Sequence, residues 1–99
     1  MARDTLRVIA RFVAKPGKAD ELRSVAMGLL APTRREDGCL LYELLVNESD
    51  PNELTFVEEW RDGKALEAHL ATEHVAYARS RLADLVAAPL DLRRYELVG

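Results

Sequence analysis

The chain has 99 residues, 48% of them hydrophobic and 31% charged, with a formal net charge of −3. That length and balance fit one folded domain and exclude a two-domain enzyme with a separate cofactor domain. The Lys and Arg residues are dispersed instead of forming a run, so no nucleic acid partner is expected.

Residues 5–14 alternate Leu6, Val8, Ala10 and Phe12 against Arg7, Ile9, Arg11 and Val13, and this period of two predicts a first strand. After the breaker Lys15-Pro16-Gly17, Leu22, Val25, Ala26, Leu29 and Leu30 recur at helical spacing, which predicts a helix starting near Lys18. Pro32 has no backbone donor, so the helix should kink or restart there and make a last turn over residues 33–36 before Asp37-Gly38. Residues 39–46 are almost continuously apolar and read as a second strand. Asp50-Pro51-Asn52 marks a turn, and residues 54–61 alternate Leu54, Phe56, Glu58 and Trp60 against Thr55, Val57, Glu59 and Arg61. The two strands therefore predict a hairpin with a mobile tip. Residues 64–70 form a short helix, and Thr72 caps a second segment that carries Val75, Ala78, Leu82, Leu85 and Val86 on one face. Pro89 stops it, and residues 90–98 alternate again as a fourth strand.

The order strand, helix, strand, strand, helix, strand predicts an α+β, ferredoxin-like split βαβ fold (βαββαβ) over the single domain 1–99, with both helices on one face of an antiparallel sheet. Strands one and two are apolar on both parities. A sheet covered by helices on one face only must bury the other against a second molecule, so a homodimer through the sheet face is expected. The single Cys39 permits no internal disulfide, no apolar run reaches a membrane span, and the first residues carry no leader-like apolar stretch. These features lead to the expectation of a mature, cytoplasmic protein with no membrane association.

Certain fragments, in order and spacing, resemble a known family. They are Ile9-Ala10, Lys15-Pro16-Gly17-Lys18, the stretch from Pro32 through Arg34-Arg35-Glu36-Asp37-Gly38-Cys39 with Tyr42-Glu43, Glu58-Glu59-Trp60, and the stretch from Ala65 to His74. Over about residues 6–97 the chain resembles the antibiotic biosynthesis monooxygenase domain. The resemblance implies a dimeric α+β barrel. Its quinol monooxygenase-like branch has histidines at the positions of His69 and His74, whereas haem-degrading members have Trp and His at the positions of His69 and Arg79. The likeness implies cofactor-independent oxidation of a quinol- or anthrone-type aromatic substrate by molecular oxygen. A non-catalytic small-molecule-binding dimer and an isomerase of a small metabolite are the alternatives, since one fold hosts several functions.

Catalytic candidates are His69 and His74, either of which can remove a phenolic proton near neutral pH. Trp60 is a candidate stacking wall for a flat substrate, with Tyr42, Tyr77 and Phe12 as further binding candidates. Five residues apart on an unbroken helix, His69 and His74 would point about 140° from each other, so a shared metal is not expected; the resemblance, with the absence of every cofactor signature, implies no cofactor. Glu58 shares the parity of Phe56 and Trp60, and if buried it needs a partner, for which Arg7 or Arg11 is expected. Arg34, Glu36 and Glu59 are expected to form an ion-pair network at the end of helix one. The glycines are too far apart for a dinucleotide or phosphate-loop fingerprint, and neither Ser24 nor Ser80 lies in a nucleophile motif.

Overall fold

The period-two pattern near the amino terminus forms β1 (Leu6–Val13) in the computed structural model of the chain, which describes residues 5–99. It is followed by α1 (Ala19–Met27), α2 (Leu30–Arg34), β2 (Cys39–Asn47), β3 (Asp50–Trp60), α3 (Gly63–Leu70), α4 (Glu73–Leu82) and β4 (Asp91–Glu96). The four strands form one sheet in the order β2-β3-β1-β4, and every pair is antiparallel. This is the expected ferredoxin-like α+β arrangement.

One parity of each central strand faces the helices. Val8, Ala10 and Phe12 of β1 and Leu54, Phe56 and Trp60 of β3 are buried with Leu22 and Ala26 of α1, Leu66 of α3 and Val75 and Ala78 of α4. Burying each large apolar side chain of this set contributes about 1.5 to 3 kcal/mol. On the opposite face Leu41, Leu45 and Tyr95 are exposed.

Four local expectations are corrected. The first helix breaks at Gly28 and Leu29 rather than at Pro32, which sits in the first turn of α2, where a missing N–H costs nothing. The hairpin tip is short and pinned: Asn47 pairs with Asp50, Asn47 Oδ1 accepts from Ser49 N, and Asp50 Oδ1 accepts from Asn52 N. Pro51 thus lies within β3, at a register shift where a strand tolerates proline. A second shift between Cys39 and Leu41 changes the parity of β2, so Cys39 stands opposite Trp60 while Leu40 is exposed. Finally, α4 ends at Leu82, and Val86 instead bridges to Ala14.

Gly38 introduces β2 at φ +88°, and a Cβ there would lie 2.6 Å from the Cβ of Ala65. Glycine is required at this position twice over, for its backbone conformation and for the close approach of α3. Among the described residues no helix is long and apolar enough to cross a membrane.

Candidate active site

Between the inner face of the sheet and α4 lies a cavity of about 320 Å³. Its wall is mostly apolar and includes Phe12, Phe56, Val75 and Leu92. The polar side chains on it are Tyr42 of β2, Glu58 of β3, His69 of α3 and, exposed at the rim, Arg79 of α4.

His69 reaches this wall because α3 is capped by Asp62, whose carboxylate accepts from Ala65 N at 2.9 Å, and because the helix stops at Ala71. Thr72 then starts α4: its Oγ1 accepts from Val75 N and donates to His69 O at 2.7 Å. This break changes the direction of the chain between the two histidines. His69 Nδ1 and His74 Nε2 both lie 2.7 Å from the same atom, Oε2 of Glu36, in the segment between α2 and β2. The expectation that the two rings diverge by 140° fails, because it applies to an unbroken helix.

The three groups differ in depth. The side chain of His69 is 5% exposed, that of Glu36 13% and that of His74 26%. Burial pushes the His69 imidazole below its ordinary value, and His74 adds to this, against the opposing pull of Glu36. A neutral imidazole that donates Nδ1–H to Glu36 presents Nε2 as its basic nitrogen. The rings of Trp60 and Tyr42 pack against His69 at centroid distances of 4.6 and 5.7 Å and hold it in place.

Among the described residues, Glu36, His69 and His74 have ligand-type atoms within 4.8 Å of one another, a grouping that could hold a metal ion. The two contacts of 2.7 Å have the length of charge-assisted hydrogen bonds, and both converge on the single oxygen Oε2 of Glu36.

Glu58 is buried and accepts from Trp60 Nε1 at 2.8 Å. Burial pushes its carboxyl up to about 7, against the indole bond, and the charge of Glu36 adds to the rise. The expected arginine partners lie elsewhere: the register places Arg7 opposite Glu59 and Arg11 opposite Thr55, on the outer face. Arg7 lies 3.7 Å from Glu59, and Arg11 pairs with Glu53 at 2.6 Å. The expected Arg34, Glu36 and Glu59 network is also absent, since Arg34 Nε donates to Tyr42 O and Glu59 accepts from Thr5.

The candidates named from sequence separate accordingly. His69, Tyr42 and Phe12 line the cavity; the Tyr42 hydroxyl is pushed well above its ordinary value by burial, so it stays protonated. Trp60 is fully buried behind His69 instead of on the wall, His74 stands behind Glu36, and Tyr77 is 62% exposed with its hydroxyl accepting from Arg81. Glu36 was not singled out as a functional residue by sequence reasoning. Its sole signal was its place in the fragment before Gly38, because its two partners lie 33 and 38 residues away.

The family model for antibiotic biosynthesis monooxygenase matches residues 5–81. A Mycobacterium tuberculosis protein named "Putative monooxygenase Rv0793" is 35% identical over 83 residues, covering 84% of this chain and 81% of that protein. Its solved structure superposes with a TM-score of 0.91 at 29% identity, covering 96% of each chain. The structure of PA3566 from Pseudomonas aeruginosa superposes with a TM-score of 0.88 at 33% identity, covering 100% of this chain and 99% of that one. A Synechocystis protein, sll1783, is 29% identical over 96 residues, and this chain spans 65% of its length.

Proposed function

The chain belongs to the antibiotic biosynthesis monooxygenase family, and from that premise we propose that it oxidises an aromatic quinol- or anthrone-type substrate with molecular oxygen and no bound cofactor. The observation that carries the reading is a buried, neutral His69, oriented by Glu36, on the wall of an apolar cavity. His69 Nε2 takes the acidic proton of the substrate, and the resulting anion is delocalised over its rings. Oxygen reacts with that carbanion: one oxygen atom becomes the new carbonyl and the other leaves as water, so a CH2 group and O2 give C=O and H2O with the substrate supplying the electrons. The apolar wall keeps bulk water from the anion, and Tyr42, whose hydroxyl stays protonated, stands on that wall. Phe12 and Phe56 are ring surfaces against which a flat substrate packs. Trp60 supports the base from behind rather than touching the substrate.

The exposed Leu41, Leu45 and Tyr95 support pairing of two copies through the outer face of the sheet. One observation favours a second reading: the Glu58 carboxyl, held near 7, could serve with His69 as the acid and base of an isomerase. Oxygen uptake against a panel of hydroquinones and anthrones separates the two. Uptake by the wild type that falls by about 10²-fold or more in His69→Ala supports the monooxygenase. Turnover without oxygen consumption assigns the isomerase.

A further inference from the structure

We infer that Glu36, His69 and His74 form a site for a divalent transition-metal ion of the zinc class, and that an ion bound there disables His69 as a base. The site itself rests on geometry, and its effect on turnover rests on the reading of His69 as the base. Glu36 Oε2, His69 Nδ1 and His74 Nε2 come from three different segments of the chain, and both nitrogens lie 2.7 Å from the one oxygen. Ligand atoms of the three residues all lie within 4.8 Å of one another.

The donor set selects the ion. Two imidazole nitrogens and one carboxylate oxygen suit zinc, cobalt or nickel, whereas magnesium and calcium take oxygen ligands. Zinc holds nitrogen and oxygen at about 2.0 to 2.2 Å, which spaces neighbouring ligand atoms roughly 3.3 Å apart in a tetrahedral site. The two contacts therefore open by about half an ångström to admit the ion. The partly exposed side chain of His74 gives the ion a way in, while the buried His69 anchors the inner end. Among the described residues no Lys or Arg pairs with Glu36, so its charge is available to the ion. Thr72 Oγ1, donating to His69 O, and the rings of Trp60 and Tyr42 hold His69 in the orientation that the site needs.

Neither Glu36 nor His74 lines the cavity, so an ion held by them stands behind His69 and out of the substrate's reach. It acts on the base and takes no part in the oxidation. On binding, a metal–nitrogen bond replaces the N–H bond at His69 Nδ1 and at His74 Nε2, and the electron pair of each broken bond becomes the ligand pair. Each ring then keeps one proton on its other nitrogen, Nε2 of His69 and Nδ1 of His74, carried there by water, and any proton in excess goes to solvent. No group is oxidised or reduced. With Nδ1 on the metal and Nε2 protonated, His69 has no lone pair left to take a proton from the substrate.

The test is a titration of the metal-stripped protein with Zn²⁺ in competition with a chromophoric chelator, alongside NMR of ¹⁵N-labelled imidazoles. The expected result is one Zn²⁺ per chain bound at micromolar concentration, with millimolar Mg²⁺ unable to displace it. In the NMR spectra bound Zn²⁺ should shift His69 Nδ1 and His74 Nε2 and leave a proton on each of the other two nitrogens. Glu36→Gln and His74→Ala should each weaken binding by at least about tenfold. Equal binding by those variants places the ion elsewhere and overturns the site, as does a wild type that binds no Zn²⁺ below millimolar concentration. If the variants fail to fold, the wild-type spectra decide the matter: binding that leaves both imidazoles unshifted overturns the site. With a substrate that the wild type oxidises, Zn²⁺ should abolish oxygen uptake over the same concentration range as it binds, and a chelator should restore it. The rate that remains in His74→Ala should be insensitive to Zn²⁺ over that range. Full uptake by the zinc-loaded wild type overturns the block of His69. Absence of any oxygen uptake by the metal-free wild type would refute the functional reading, while the titration and the spectra still decide the site.

Discussion

Glu58 provides a stability test that needs no substrate. Its carboxyl is buried against Trp60, and burial raises it from the ordinary 4.5 to about 7. Between those values the folded state holds a proton that the unfolded chain has lost, so the group stabilises the fold below pH 4.5 and this contribution is lost as pH rises through about 7. The gap corresponds to about 3 kcal/mol. Glu58→Gln keeps an oxygen to accept from the indole and cannot ionise. The variant should match wild type within about 0.5 kcal/mol at pH 4.5 and exceed it by up to about 3 kcal/mol at pH 8. His69 has the opposite sign, since a lowered imidazole costs stability as pH falls below its ordinary 6.5. It is present in both proteins and cancels in the difference. Urea unfolding followed by the fluorescence of Trp60, at one protein concentration and at both pH values, measures the effect. A stability difference between the two proteins that is the same at pH 4.5 and pH 8 would refute the reasoning.

Gly38→Ala forces a side chain into a positive φ and against Ala65, and should cost about 1 to 3 kcal/mol in urea unfolding; a neutral result would show that α3 can move away. Thr72→Ala removes the cap of α4 and its bond to His69 O, and should cost about 1 kcal/mol while disordering the two imidazole bonds to Glu36. Unchanged imidazole ¹⁵N shifts in that variant would mean that the helix break holds without its cap. Leu45→Asp, on the outer face of the sheet, should convert a dimer into a folded monomer in sedimentation; an unaltered sedimentation coefficient would place any dimer contact elsewhere.

The sheet was legible because its strands carry period-two patterns, and the helices because their apolar residues recur at three and four. Local punctuation was read less well. Pro32 looked like a break, yet a proline in the first turn of a helix forfeits nothing, and the real break is at Gly28. The bulge at Leu40 cannot be seen in an apolar run, and it decided which side of β2 faces the core. Of the candidates named by residue type, His69, Tyr42 and Phe12 line the cavity. Glu36 escaped because its role depends on a long-range meeting of two helices with a loop. The charged residues of β1 and β3 were misassigned because pairing follows register across the sheet: Glu58 faces Val8 and Tyr42, while its neighbour Glu59 takes Arg7.

If His69, oriented by Glu36, ionises an aromatic substrate inside the apolar cavity, the substrate anion forms without oxygen. Anaerobic mixing with an anthrone or quinol oxidised by the wild type isolates that step, because the anion accumulates when oxygen is withheld and is read by its absorbance. A bound anion is expected in wild type at neutral pH, much reduced in Glu36→Gln and missing in His69→Ala. Formation of the same anion to the same extent by folded His69→Ala would contradict it.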